Sequence, residues 1–135
     1  MYTREESIET SATPARVWAL LADVARWKDW NAGIETITIR GPFETGTTVA
    51  MRPPGQPELV STLVQVKPLK SFTDETFVDG TRVLVSHRLL PLTGGGTRIV
   101  YGTKISGPAA DEIGPYVTAD FPEVLAALKR LAEQG

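Results

Sequence analysis

Between residues 34 and 106 the chain contains several segments in which apolar and polar residues alternate, and this feature constrains the fold most. Alternation with a period of two is typical of strands that bury one face. Turn signals such as Gly41-Pro42, Asp79-Gly80 and Gly94-Gly95 separate the segments. Short turns of this kind join antiparallel neighbours. The pattern predicts strands at Ile34–Arg40, Thr47–Arg52, Glu58–Lys67, Ser71–Val78, Arg82–Leu90 and Thr97–Ser106.

The segment before this block predicts one strand and two short helices. Thr3–Thr10 has the weak alternation of a strand exposed along one side. Thr13 stands before a proline, where it can cap a first helix. Asp23 is placed to cap a second short helix, which carries Trp27 and Trp30 three residues apart.

The last segment, Ala109–Gln134, predicts a long helix with one apolar face. Pro115 and Pro122 should each remove a main-chain hydrogen bond and bend its axis. Asp120 with Glu123 is placed to cap a helix restarted around Pro122. The apolar face consists of Ile113, Val117, Phe121, Val124, Leu128 and Leu131.

This order of elements predicts an α+β fold. Strands grouped in one block, with helices at both ends, differ from the regular alternation of parallel α/β proteins. An antiparallel sheet of about seven strands has one apolar face to cover, and the C-terminal helix offers a matching stripe. We therefore expect the sheet to curl around that helix, with residues 1–135 forming a single domain.

Composition excludes several kinds of chemistry. The 135 residues contain no cysteine and one histidine, so disulfides, thiolate catalysis and a zinc site are not expected. The formal net charge of −2 disfavours a general nucleic-acid-binding protein. No segment has the length of a membrane span or the apolar core of a signal peptide. These features predict a cytoplasmic protein without metal or other cofactor, and they leave the oligomeric state open.

Three segments resemble those of a known family. The first runs from Ile8 to Val24 (IETSATPARVWALLADV) and is followed by Trp27, Asp29 and Trp30. The second is Gly41–Gly46 (GPFETG), and the third is Asp120-Phe121-Pro122 ahead of Leu125 and Leu128. Together they resemble the polyketide cyclase/dehydrase and lipid-transport superfamily, also called SRPBCC or START-like, over essentially the whole chain.

This resemblance implies a helix-grip fold, in which a curved antiparallel sheet wraps the C-terminal helix. It also implies a cavity between sheet and helix for a hydrophobic or amphipathic small molecule. The superfamily contains carriers, aromatase/cyclases and protein-interaction modules and has no shared catalytic signature, so membership alone does not determine the chemistry.

His87 and Tyr101 are the leading polar candidates for such a cavity. Alternation places His87 on the inward face with Val83, Val85 and Leu89. It could act as a general base, but a ligand contact or a buried histidine with a satisfied hydrogen bond is the favoured interpretation. Tyr101, expected on the same face of the adjacent strand, could orient His87 or donate to a ligand carbonyl or enolate, or it could serve as a wall residue.

Apolar candidates for the ligand site come from several elements. Trp27 and Trp30 are expected at the cavity mouth, or alternatively as anchors of the short helices. Further wall candidates, each of which could equally fill the core, are Met51, Phe77, Tyr116 and Phe121. Phe77 alternates in the phase opposite to Phe72 and Val78.

Charged residues in the strands are interpreted as solvated. Asp74, Glu75 and Asp79 could form a paired-carboxylate site, but a solvated strand and turn is favoured. Arg88, Arg98 and Lys104 are likewise expected on the outer surface of the sheet.

The sequence therefore favours a protein that binds a hydrophobic or aromatic small molecule, lipid-like or polyketide-like, in an internal cavity. One alternative is an aromatase/cyclase-type enzyme in which His87 is the base and Tyr101 the donor. The other is a protein-interaction module of the same fold.

Overall fold

A computed structural model describes residues 1–134, so the last residue of the predicted domain, Gly135, lies outside the described residues. Residues 1–134 form seven strands, three α-helices and one 3-10 helix. In chain order these are β1 (Tyr2–Thr10), α1 (Pro14–Ala22), a 3-10 helix (Val24–Asp29), β2 (Thr36–Ile39), β3 (Thr48–Arg52), β4 (Leu59–Lys67), β5 (Ser71–Val78), β6 (Thr81–Pro91), β7 (Thr97–Ser106), α2 (Ala110–Thr118) and α3 (Phe121–Gln134).

The strands form one antiparallel sheet in the order β1-β7-β6-β5-β4-β3-β2. From β2 to β7 each strand pairs with the next one in the chain, and β1 is added beside β7 at the edge opposite β2. The β5–β6 turn has positive φ at Asp79 (48°) and Gly80 (79°), as a type I′ hairpin requires. The predicted α+β class, with an antiparallel sheet of seven strands and a helix-grip arrangement, is confirmed.

The core lies between the inner face of this sheet and the helices. The fully buried face of α3 includes Phe121, Val124, Leu125, Leu128 and Ala132. The side chain of Thr13 accepts a hydrogen bond from the Arg16 amide, so the predicted cap of α1 is formed. Asp23 precedes the 3-10 helix without making a side-chain cap bond. No helix in residues 1–134 is both long and apolar enough to cross a membrane.

The predicted C-terminal helix is present but divided into α2 and α3. Pro122 has no amide hydrogen to donate to the carbonyl of Thr118, where α2 ends. Ala119 keeps helical dihedral angles (φ −56°, ψ −34°), and the Val124 amide donates to the Asp120 carbonyl, so the chain bends and continues. Pro115 lies within α2 without ending it.

A β-bulge in β4 changes which residues face the core. Uninterrupted alternation over Glu58–Lys67 would put Val60, Thr62, Val64 and Val66 on one face, and the first half of the strand departs from this pattern. The pairing with β5 shifts register between Leu63 and Gln65, which reverses the alternation at that point. Leu63 is consequently buried and Val60 exposed.

Candidate functional site

A cavity of about 270 Å³ lies between the inner face of the sheet and the bend joining α2 to α3. Its apolar walls come from the 3-10 helix and the loop after it, from the five strands β2 to β6 and from the C-terminal helices: Trp27, Trp30, Ile34, Ile37, Val49, Met51, Leu59, Leu63, Val78, Val83, Val85, Val117, Phe121 and Val124. Its polar lining residues are Asn31, Ser61, Asp74, Thr76, His87, Tyr101 and Asp120. A mostly apolar wall with a few polar groups is the usual composition of a small-molecule site.

His87 occupies the middle of the inner sheet face, directly opposite Phe72 on β5 and Tyr101 on β7. Its Nδ1 lies 3.2 Å from the main-chain oxygen of Phe72. A carbonyl oxygen only accepts, so Nδ1 carries the ring proton and Nε2 keeps its lone pair. Burial lowers the pKa of His87 to about 4, although the bond to Phe72 acts in the opposite direction. His87 is therefore neutral at physiological pH.

The predicted orienting role of Tyr101 is wrong, because the Phe72 carbonyl holds the imidazole instead. Tyr101 meets His87 edge-on, with ring centroids 4.5 Å apart and planes at 80°. The Tyr101 hydroxyl is buried and has no hydrogen-bond partner among the described residues. Burial raises the pKa of that hydroxyl, and the charges of Asp74 and Asp120 raise it further.

Asp74 is a cavity residue, so its interpretation as a solvated carboxylate is wrong. Strand β5 turns Asp74 inward with Phe72 and Thr76, and its side chain is only 19 % exposed. Burial raises the pKa of Asp74 to about 7. Its Oδ2 lies 3.9 Å from Nε2 of His87, but the neutral imidazole leaves this pair without an ion-pair attraction at neutral pH. Asp74 shares its strand phase with Phe72 and Val78, and this alternation was the sequence signal that could have predicted its inward position.

The other two acidic residues of that cluster lie outside the cavity. Glu75 faces outward and pairs with Arg82, while Asp79 forms the turn between β5 and β6. The predicted solvated interpretation therefore holds for Asp79, whereas the Glu75 side chain is only 19 % exposed and is held in its ion pair on the outer face.

Asp120 brings a second carboxyl group to the cavity, at the bend between α2 and α3. Burial raises its pKa; a main-chain hydrogen bond lowers it and the charge of Glu123 raises it. Sequence reasoning assigned Asp120 only a capping role, because nothing local to the sequence places that bend beside the sheet. Among residues 1–134, no group of three or more His, Asp or Glu side chains is arranged to hold a metal ion.

The two predicted tryptophans line the cavity in different ways. Trp27 donates its indole N–H to the Leu21 carbonyl at 2.8 Å and stacks on Phe72, so it also anchors the helical segment. Trp30 is 5 % exposed, and its indole N–H has no hydrogen-bond partner among the described residues. Trp30 is therefore a cavity-lining residue that carries a buried donor without an acceptor.

The remaining predicted wall residues divide into two groups. Met51 and Phe121 line the cavity, and Phe121 meets Tyr101 edge-on at 5.6 Å. Phe77 is 59 % exposed on the opposite face of β5, and Tyr116 is 82 % exposed on the solvent side of α2. The location predicted for these last two is wrong, because strand alternation and the helical stripe both direct them outward.

A larger depression of about 700 Å³ lies on the outer face of the sheet. Its lining includes Arg88, Lys104 and Glu5, and Arg88 pairs with Glu5 at 2.9 Å in an exposed position. Exposed ion pairs of this kind contribute little to binding or stability. Of these two, the inner cavity is therefore the better candidate site, since it combines apolar walls with the buried, unpartnered polar atoms of Tyr101 and Trp30.

Several solved structures share this fold. A protein from Mesorhizobium loti matches with a TM-score of 0.83 at 16 % identity, over 98 % of this chain and 98 % of that one. The Zhui aromatase/cyclase from a Streptomyces species gives 0.82 at 16 % identity, over 98 % and 94 %. Norcoclaurine synthase from Thalictrum flavum gives 0.79 at 16 % identity, over 99 % and 87 %. At this identity the likeness concerns the fold alone.

The sequence itself assigns the family. No curated protein matches it closely enough to count as a relative. The profile of the family described as polyketide cyclase / dehydrase and lipid transport matches residues 1–133. The chain therefore belongs to the polyketide cyclase/dehydrase and lipid transport family.

Proposed function

We propose that residues 1–135 form one binding domain for a small hydrophobic or aromatic molecule, which occupies the inner cavity. The observation that carries this proposal is the pair of buried, unpartnered donors, the Tyr101 hydroxyl and the Trp30 indole N–H. An unmet hydrogen bond inside a protein costs about 1–3 kcal/mol. A ligand oxygen or nitrogen would remove that cost.

The cavity volume narrows the size of the ligand. A cavity of about 150 Å³ is enough to bind benzene, whereas this one measures about 270 Å³. The space suits a molecule of one or two rings better than a lipid with long chains. Apolar burial would supply most of the affinity, at about 25 cal/mol per Å².

Native mass spectrometry of freshly purified protein, followed by identification of any released small molecule, tests this proposal. Titration with one- and two-ring aromatic compounds provides the second arm. Tyr101→Phe should weaken binding of an oxygen-bearing ring compound several-fold. The same change at exposed Tyr116 should leave it unaltered. A protein that binds none of these compounds in either arm would contradict the proposal.

The geometry also supports a second candidate, an aromatase/cyclase-type reaction. Such a reaction needs a positioned base and a donor to an enolate oxygen, and Tyr101 offers the donor. Of the two candidate bases, Asp74 has the pKa nearer neutrality, about 7 against about 4 for His87. Asp74 would therefore accept the proton, and His87 would accept a hydrogen bond at Nε2. Turnover of a poly-β-ketone substrate that persists in Asp74→Asn would exclude this mechanism.

A further inference from the structure

The inner cavity is asymmetric in charge. Its described lining includes two carboxyl groups, Asp74 and Asp120, and no lysine or arginine. The remaining titratable lining groups, His87 and Tyr101, stay neutral because burial disfavours their charged forms. Any charge inside the cavity at neutral pH is therefore negative.

The aromatic walls of the cavity also favour a cationic ligand. Trp27, Trp30 and Tyr101 all line the cavity, and the faces of such rings attract cations. The unpartnered hydroxyl of Tyr101, 3 % exposed, is an independent sign of a ligand, since its oxygen can accept a hydrogen bond from a charged nitrogen. An anionic ligand would meet two carboxyl groups without any cation to compensate it.

We propose that the cavity selects a small aromatic molecule with a basic nitrogen, bound as its cation with Asp74 as the counter-ion. This inference rests on the proposed binding function and specifies its ligand class. If the nitrogen arrives as a free base, it takes the carboxyl proton of Asp74. If it arrives as a cation, the carboxyl proton passes to solvent. Both routes end in the same ion pair.

The groups facing Asp74 set the pH dependence of this binding. They are His87 on β6, Tyr101 on β7, Ser61 and Leu63 on β4, and Asp120 at the helix bend. Asp74 changes charge between about pH 6 and pH 8, since its pKa is about 7. Burial also raises the pKa of Asp120 above its ordinary value. The cation requires the ionised carboxylate, so amine affinity should fall about tenfold from pH 8 to pH 6.

The test compares naphthylmethylamine, naphthylmethanol and naphthoate of one ring isomer, which differ mainly in charge. Isothermal titration calorimetry at about pH 8 should give a Kd for the amine at least tenfold below that of the alcohol, with the carboxylate weakest. Asp74→Asn should remove the advantage of the amine and flatten its pH profile, while the alcohol keeps its Kd within about threefold. The control Asp79→Asn makes the same charge change in the turn outside the cavity.

The outcomes separate this inference from the proposed function. Equal binding of amine and alcohol to the wild-type protein would overturn the inference and leave the binding function standing. An amine advantage that survives in Asp74→Asn would also overturn it. Binding of none of the three compounds would overturn both. If Asp74→Asn does not fold, the pH dependence of amine affinity in the wild-type protein tests the inference instead.

Discussion

Phe72 holds His87 in two ways at once. Its ring stacks on the imidazole with centroids 3.9 Å apart and planes inclined by 10°. Its main-chain oxygen also accepts the Nδ1 proton at 3.2 Å. One fully buried residue on the neighbouring strand thus determines both the plane and the tautomer of the only histidine. The lone pair of Nε2 is consequently directed toward the cavity side of the ring, where Asp74 lies.

The Nδ1–H tautomer should be the dominant form of His87 in solution. Nitrogen-15 chemical shifts of the untagged protein at neutral pH should show a pyrrole-like Nδ1 and a pyridine-like Nε2, since the carbonyl of Phe72 can only accept. The single histidine makes the assignment unambiguous. A dominant Nε2–H form would contradict the assigned orientation.

Phe72→Leu should lower the free energy of unfolding by about 1–3 kcal/mol, because it leaves space among the rings that pack on Phe72. The same change at Phe77, on the exposed face of the same strand, should stay within about 0.5 kcal/mol. Urea denaturation of both variants measures the difference. Equal effects at the two positions would show that Phe72 is not part of a closely packed core.

Asp74 and His87 should make opposite contributions to the pH dependence of stability. The pKa of Asp74 is raised from 3.8 to about 7, so its contribution falls as pH rises through that window. The pKa of His87 is lowered from 6.5 to about 4, so its contribution falls as pH drops through that window. Between about pH 4 and 6.5 the two slopes oppose each other.

In a variant that lacks one of these two groups, the dependence of stability on pH should follow the remaining group. Relative to the wild type, Asp74→Asn should gain stability as pH rises across the carboxyl window, and His87→Gln should gain stability as pH falls across the imidazole window. Thermal or urea unfolding at several pH values measures both trends. Parallel pH profiles for all three proteins would show that neither group has a shifted pKa.

Tyr101→Phe should leave the stability of the ligand-free protein unchanged or raise it by up to about 1 kcal/mol, because it deletes a buried hydroxyl that has no partner. Binding should weaken in the same variant, so stability and affinity move in different directions. Thermal unfolding with and without an aromatic ligand separates the two effects. A marked loss of stability without ligand would indicate that the hydroxyl has a structural partner.

Gly114→Ala should destabilise the protein even though alanine favours helices by about 1 kcal/mol over glycine. A Cβ at position 114 would overlap the ring of Tyr2, which packs against α2 from β1. Tyr2→Ala should abolish most of this penalty when the two changes are combined. Additive effects in that double-mutant cycle would place the two residues out of contact.

The sequence predicts the elements of the fold well where periodicity is uninterrupted. The helix cap at Thr13, the hairpin at Asp79-Gly80 and the seven strands all follow from local rules of backbone conformation. The departure of β4 from uninterrupted alternation arises at a bulge, where one additional residue reverses the facing of its neighbours. No local pattern marks such an insertion in advance.

The site depended more on tertiary structure. Periodicity within each strand, together with the expected pairing of neighbouring strands, predicted His87 and Tyr101 on one inner face. It could not reveal that Asp74 and Asp120, far apart in the chain, line the same cavity. Burial at that place then raises the pKa of both carboxyl groups. Local sequence thus determined which side each strand residue faces, whereas packing decided the cavity, its charge and the protonation of its groups, because desolvation depends on every element around them.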